Sequence, residues 1–195
     1  MYKPAHRTAI SDLVYFMTET VRSAVRYPAH YEMLPCLSLI VARSVNNVIG
    51  LNGAMPWECP EDLKHFKAVT QGHCCLAGFD TYTTLPENGL PNRTLYVLTR
   101  KKLPDRNHVF FIKDLPHFLH ELRRNNFSEE FFCIGGLSLY EQCIPFASKV
   151  YLTEIKRAYA GDTFFSNDLL IGFKPQLVHE TEQCAYYIYK RENGR

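Results

Sequence analysis

Short apolar runs alternating with helical patterns leave this chain few folds to choose from. Runs at about 36 to 43, 73 to 77, 94 to 99, 108 to 112, 131 to 134, 148 to 155, 175 to 181 and 184 to 191 read as strands. Several are apolar almost throughout, and helical patterns fall between them at about 60 to 70, 80 to 84, 114 to 125 and 137 to 145. A strand that is apolar on both faces needs cover on both, and crossover helices supply it. The predicted fold class is therefore α/β, a single domain on a central, mostly parallel mixed sheet of about eight strands. Only Thr181-Glu182-Gln183 separates the last two runs, so they are expected to form an antiparallel hairpin at the end of the sheet.

Composition narrows the function classes. At 195 residues and 46% hydrophobic content the chain is long enough for one sizeable core. A net charge of +2, with no basic tract interleaved with aromatics, gives no support to a nucleic-acid or membrane-surface role. Lys101-Lys102 and Arg123-Arg124 read as solvated surface. No apolar run approaches the ~18 residues of a membrane span. None of the seven cysteines forms a Cys-x-x-Cys pair, and His73-Cys74-Cys75 would alternate faces on a strand, so no metal site is expected. Free thiols in a reducing cytoplasm are the expectation. Residues 1 to 35 stand apart as an N-terminal extension to a domain at 36 to 195, with Leu13, Val14, Met17, Val21 and Val25 at helical spacing. A helix packed on the domain is the first expectation for it. The second is a partner or dimer contact in an otherwise monomeric protein.

The segment Met55-Pro56-Trp57-Glu58-Cys59-Pro60-Glu61-Asp62-Leu63-Lys64-His65-Phe66-Lys67 is the strongest local pointer to chemistry. Pro60 suits a first helical position, and Glu61 and Asp62 suit the positive end of the helix dipole. Asp62 and Phe66 are four apart with Leu63 beside them, so one helix face presents an acid framed by apolar side chains. Such a carboxylate can read a cationic or amide-like heterocycle. Taken alone, an acid in a first turn is more often a cap.

Its surroundings tip the balance. Upstream lies Leu39-Ile40-Val41-Ala42-Arg43-Ser44-Val45-Asn46-Asn47-Val48-Ile49-Gly50. Downstream, in order, come Ala77-Gly78-Phe79-Asp80-Thr81-Tyr82, Leu90-Pro91-Asn92-Arg93, Val97-Leu98-Thr99-Arg100, Ile134-Gly135-Gly136-Leu137-Ser138-Leu139-Tyr140, Tyr151-Leu152-Thr153-Glu154-Ile155 and Gly161-Asp162-Thr163. Over residues 36 to 191 this series resembles dihydrofolate reductase. A lone Gly-Gly is common, whereas seven motifs in one family's order are specific.

The resemblance implies NADPH as cofactor, dihydrofolate as substrate and antifolates as competitors. It matches Asp62 to the family's acid, which orients the pterin, with Thr153 hydrogen-bonded to it and a water near Met55 and Trp57 carrying the proton to N5. Ile40, Val41, Ala42, Leu63, Phe66, Lys67, Thr84, Leu85, Leu90, Ile134 and Tyr140 match the substrate pocket, and Arg93 the arginine that grips the folate carboxylate. Around the cofactor it matches Ala42, Ile49, Gly50, Gly78, Phe79, Asp80, Thr81, Ile134, Gly135, Gly136, Leu137, Ser138, Leu139, Tyr140, Gln142 and Thr163. Leu98, Thr99, Arg100 and Lys113 match its adenosine-phosphate end. The family's Gly-Gly peptide is cis. By spacing alone the apolar members of these sets are core, Thr153 is an ordinary strand residue, and Arg93 is a solvated loop arginine.

Four residues depart from the family pattern. Phe79 and Asp80 stand where an arginine usually begins the phosphate contact, Ser138 replaces a basic residue found in some members, and Leu137 replaces a third glycine. Weaker cofactor binding is expected, with Arg100 compensating. Two alternatives stay open at this stage. One is a related pterin or pyrimidine reductase, which Asp62 and Arg93 argue against. The other is a non-catalytic nucleotide- or folate-binding module, against which the retained Trp57, Asp62, Thr153 and Gly135-Gly136 weigh.

Overall fold

The computed structural model of the protein describes residues 33–86 and 89–192. The expected N-terminal helix falls at residues outside these. Strands β1 (Leu34–Ser44), β3 (Cys74–Gly78), β4 (Thr94–Leu98), β5 (Val109–Ile112), β6 (Phe131–Cys133), β7 (Ala147–Ile155), β9 (Phe173–Glu180) and β10 (Cys184–Arg191) form one sheet in the order β5-β4-β3-β6-β1-β7-β10-β9. The five pairings from β5 to β7 are parallel, whereas β10 runs antiparallel to both β7 and β9, as the short final connection requires. Helices α1 (Pro60–Thr70), α2 (Phe79–Thr83), α3 (Leu115–Arg124) and α4 (Leu137–Cys143) lie where the sequence pattern puts them. A second sheet, β2 (Val48–Gly50) with β8 (Thr163–Phe164), is too short to leave a periodic signal.

Side-chain alternation along β1 divides the core. Leu37, Leu39 and Val41 pack on one face with Phe118 and Leu122 of α3 and Leu139 and Cys143 of α4. Ile40 packs on the other with Cys75, Ala77, Leu95, Val97, Phe132 and Ile134, covered by Phe66 and Val69 of α1 and Phe79 and Tyr82 of α2. Each strand is thus apolar on both sides because helices lie on both. Tyr96, Phe118 and Phe131 meet with ring centroids 5.0 to 5.7 Å apart. Burying each such side chain contributes about 1.5–3 kcal/mol.

Two helix starts have a local cause. Pro60 follows Cys59 at the entry of α1, where a missing N–H costs no hydrogen bond. Asp114 caps α3 by accepting the His117 N–H at 2.9 Å. At the N-terminal end of β6, Glu130 gathers donors from two other strands, Ser38 Oγ at 2.5 Å and Lys149 Nζ and Tyr151 Oη at 3.1 Å. This knot ties β1, β6 and β7 at the end of the sheet away from their carboxyl termini. The reversal of strand order around β1, β3 and β6 leaves a crevice outside those termini, where ligands bind in open α/β sheets.

Candidate active site

Asp62 lies in the first turn of α1, facing β7, and is 7% exposed. Burial pushes its carboxyl pKa upward, and a hydrogen bond with the Thr153 side chain partly offsets that rise. Thr153 is itself buried on β7, in register with Ala42 of β1 and Tyr186 of β10. An acid so placed, with a buried hydroxyl as its partner, is not a solvent-facing cap. Trp57 is buried just upstream, and its indole Nε1 has no hydrogen-bond partner among the described residues. A buried indole N–H normally has an acceptor, so this donor is free to bond a group outside the protein.

Ile40, Ile134, Phe66, Leu85 and Leu90 belong to one apolar cluster beside the acid. Leu63 is 54% exposed and Met55 51% exposed, which makes both rim residues. Arg93 contradicts the solvated reading, since it is 7% exposed. Its Nε donates to Pro91 O at 3.1 Å and its Nη1 to Thr70 Oγ1 at 2.9 Å, while the guanidinium lies 5.7 Å from the Phe66 ring centroid. Thr70 in turn donates to Phe66 O at 2.7 Å. The guanidinium is therefore held rigid, with Nη2 making no hydrogen bond among the described residues. Thr70 escaped sequence reasoning, because only the fold brings it to an arginine 23 positions away.

At the carboxyl ends of β3 and β6 the floor is bare backbone. Gly78 N–H donates to Gly135 O at 2.7 Å, and the Gly135–Gly136 peptide is cis, as the resemblance implies. A Cβ on Gly135, whose φ is +99°, would lie 2.8 Å from the Tyr140 ring, and one on Gly136 would lie 3.3 Å from Thr81 Oγ1. Only glycine fits at 135, while a side chain at 136 would press on Thr81. Tyr140 is buried and donates to Ile40 O at 2.7 Å, fixing α4 against β1. Helices α2 and α4 are five and seven residues long, so close approach of the backbone matters more than their dipoles.

Beyond this floor, Lys101 Nζ lies 3.9 Å from the Phe79 ring centroid, and Lys101 N–H donates to Thr99 Oγ1 at 3.2 Å. Lys101, read from sequence as solvated surface, thus brings a cation to the position where Phe79 and Asp80 depart from the family pattern. Arg100, Lys113, Asp80 and Ser138 are exposed around it, and exposed Gln142 donates back to Ser138 O. Lys67 and Thr84 are exposed near the rim, Thr84 donating to Thr81 O.

Some predicted residues face elsewhere. Val41 and Leu139 are buried in the opposite core layer, and Ile49 and Leu98 pack against it. Strand alternation sends the Val41 side chain away from the Ile40 face, so it reaches the crevice only through its backbone. Gly50 and Thr163 pair across the small sheet, and Asp162 accepts Asn52 N–H at 2.8 Å. That bond, with Asp162 N–H donating to Gly50 O at 3.0 Å, pins the loop leading to Met55 and Trp57. Nothing local in Gly161-Asp162-Thr163 signals this role for Asp162, because Asn52 lies 110 positions away.

A sheet of this order, with a buried acid and a bare glycine floor at its switch point, defines an α/β protein with a ligand crevice at the carboxyl ends of its strands. The family model described as dihydrofolate reductase matches residues 36–183. The dihydrofolate reductase of Haemophilus influenzae is 36% identical over 156 residues, covering 79% of this chain and 88% of its own length. That of Buchnera aphidicola is 34% identical over 157 residues, covering 78% and 93%. That of Bacillus subtilis is 33% identical over 165 residues, covering 81% and 96%. The chain belongs to the dihydrofolate reductase family.

Proposed function

We propose that this protein reduces 7,8-dihydrofolate to 5,6,7,8-tetrahydrofolate with NADPH, in the cytoplasm, supplying one-carbon metabolism. The observation that carries the reading is the buried Asp62 bonded to Thr153 at the start of α1, within an apolar crevice. A carboxylate accepts two adjacent hydrogen bonds from a ring N–H and its exocyclic amine, so Asp62 orients the pterin. Ile40, Ile134, Phe66, Leu85 and Leu90 exclude water from the ring, and Arg93 pairs with the carboxylate of the substrate's glutamate tail. Trp57 Nε1, beside Met55, holds the water that brings a proton to N5 of the pterin.

The glycine floor fits a dinucleotide, since the absence of side chains at Gly78, Gly135 and Gly136 lets a ligand approach the backbone closely. Bound NADPH supplies the hydride that the reduction needs. Gly78, Thr81, Gly135 and Gly136 receive its pyrophosphate, Tyr140 fixes the wall beside the nicotinamide, and Ala42, Ile49, Gly50 and Thr163 border it. Thr99, Arg100, Lys101 and Lys113 favour the extra phosphate that distinguishes NADPH from NADH. The working form is a monomer, and protonated diaminopyrimidine antifolates compete by pairing with Asp62.

The test is Asp62→Asn, which keeps the shape and removes the charge. Turnover of dihydrofolate is expected to fall by about 10²-fold or more, the loss typical of one preorganised electrostatic partner. Unchanged turnover in a folded variant would refute the assigned role.

A further inference from the structure

Beside the crevice, next to Trp57 and Asp62, Cys59, Glu61 and Cys184 converge. Their two sulfurs and a carboxylate oxygen all lie within 4.8 Å of one another. Cys59 precedes Pro60 at the entry of α1 and makes no capping bond with its side chain, Glu61 lies in the first turn, and Cys184 opens β10. The two buried sulfurs, 125 positions apart in sequence, are 3.4 Å apart and hydrogen-bonded to each other, and the Cys184 thiol is also hydrogen-bonded to Glu61, so an ion here would replace the thiol protons. Glu61 is partly exposed and accepts a hydrogen bond from Thr181 Oγ1 at 2.8 Å, which orients its carboxylate. The cluster therefore has a closed thiol side and an open carboxylate side.

The spacing discriminates between two fates for the sulfur pair. Two thiolates on a tetrahedral zinc-class ion, each about 2.3 Å from it, sit about 3.8 Å apart. A disulfide demands about 2.05 Å. From 3.4 Å the pair opens by about 0.4 Å to admit an ion and must close by more than 1 Å to oxidise. Two thiolates and one carboxylate form a borderline-soft set, suited to zinc and its congeners and ill suited to magnesium or calcium.

We propose that Cys59, Glu61 and Cys184 form a three-ligand site for a zinc-class divalent cation, which clamps the start of α1 to β10. Each thiol loses its proton to solvent as its sulfur bonds to the ion, so two protons leave and nothing is oxidised or reduced. Water from the exposed Glu61 side completes the tetrahedron. The clamp closes one residue before Asp62, and the ion braces the helix turn that carries the acid.

The test uses the full chain, reduced with a phosphine and titrated with cobalt(II). One equivalent is expected to give thiolate-to-cobalt charge-transfer absorption and the visible bands of tetrahedral cobalt, both abolished by added zinc. Cys184→Ser should remove the charge-transfer band, while Cys143→Ser, altering a thiol buried in the opposite core layer, should keep it. Glu61→Gln should keep the band and weaken cobalt binding at least tenfold. Absence of the band in folded wild-type protein at excess cobalt overturns the proposal, as does its persistence in Cys184→Ser. If Cys184→Ser does not fold, unchanged cobalt affinity in Glu61→Gln overturns it. These readouts do not depend on reductase turnover, so failure here is distinct from failure of the proposed activity.

Discussion

Replacing Gly161 by Ala puts a methyl group where the fold has no space for one. The new Cβ would overlap Val48 Cγ1 and lie 2.7 Å from the Gly50 carbonyl oxygen. Neither neighbour can swing away, since Val48 is fully buried in the cluster that holds Trp57, and Gly50 is paired with Thr163. Non-bonded atoms rest near ~3.5–4 Å, so β2 and the chain at Gly161 must separate by about 1 Å. Overpacking of this kind costs about 1–3 kcal/mol. At roughly 2–4 °C per kcal/mol for a chain of this size, the melting temperature should fall by about 2–12 °C. The same shift pulls Asp162 from Asn52 and Gly50 and moves Trp57, and a 1 Å misplacement at a reacting site can cost about 10²-fold in turnover. Thermal unfolding and steady-state turnover would be measured together, with Gly172→Ala as the control. Gly172, unlike Gly161, has a positive φ, +84°, and a Cβ there meets nothing within 4 Å, so that variant shows backbone strain of about 1–2 kcal/mol without overpacking. The reasoning is refuted if Gly161→Ala melts within about a degree of wild type and turns over normally.

Lys101→Ala should weaken NADPH binding by about 3- to 30-fold, the range for losing one partly solvated charge contact to phosphate, and leave NADH binding within twofold. Titration of each cofactor against protein fluorescence measures this, and equal weakening of both would place Lys101 outside the phosphate contact. Glu130 provides a pH-dependent prediction. Burial pushes its pKa up, but the combined donors Ser38, Lys149 and Tyr151 outweigh burial and hold it below the ordinary value. A depressed carboxyl stabilises the fold fully above the unfolded pKa of about 4.3, and this stability is lost as pH falls through the lower folded value. Glu130→Gln should therefore destabilise near pH ~6 and lose less stability on acidification than wild type. Parallel acid dependence in urea unfolding would remove Glu130 from the account.

The sheet was legible in the sequence because each central strand lies in an apolar run, and the start of α1 has a chemical marker in Pro60. The β2–β8 pair was not, since strands of three and two residues carry no period. At the site, Asp62 stood out because an acid among apolar neighbours on one helix face is locally visible. The burial of Arg93 was not visible, because it depends on Thr70 and Phe66 closing over a loop that reads as polar. Lys101 misled for a related reason. A lysine pair beside a strand end looks like any solvated surface until the fold sets one of them on Phe79. Cys59 and Cys184 show the limit of spacing arguments, since no local motif joins residues 125 positions apart.

The most direct test of the central claim is the loss of reduced-nicotinamide absorbance when purified protein is mixed with dihydrofolate and either NADPH or NADH. Dihydrofolate-dependent oxidation, faster with NADPH and abolished by a diaminopyrimidine antifolate, is the predicted result. Folded protein that oxidises neither cofactor in the presence of dihydrofolate would contradict it.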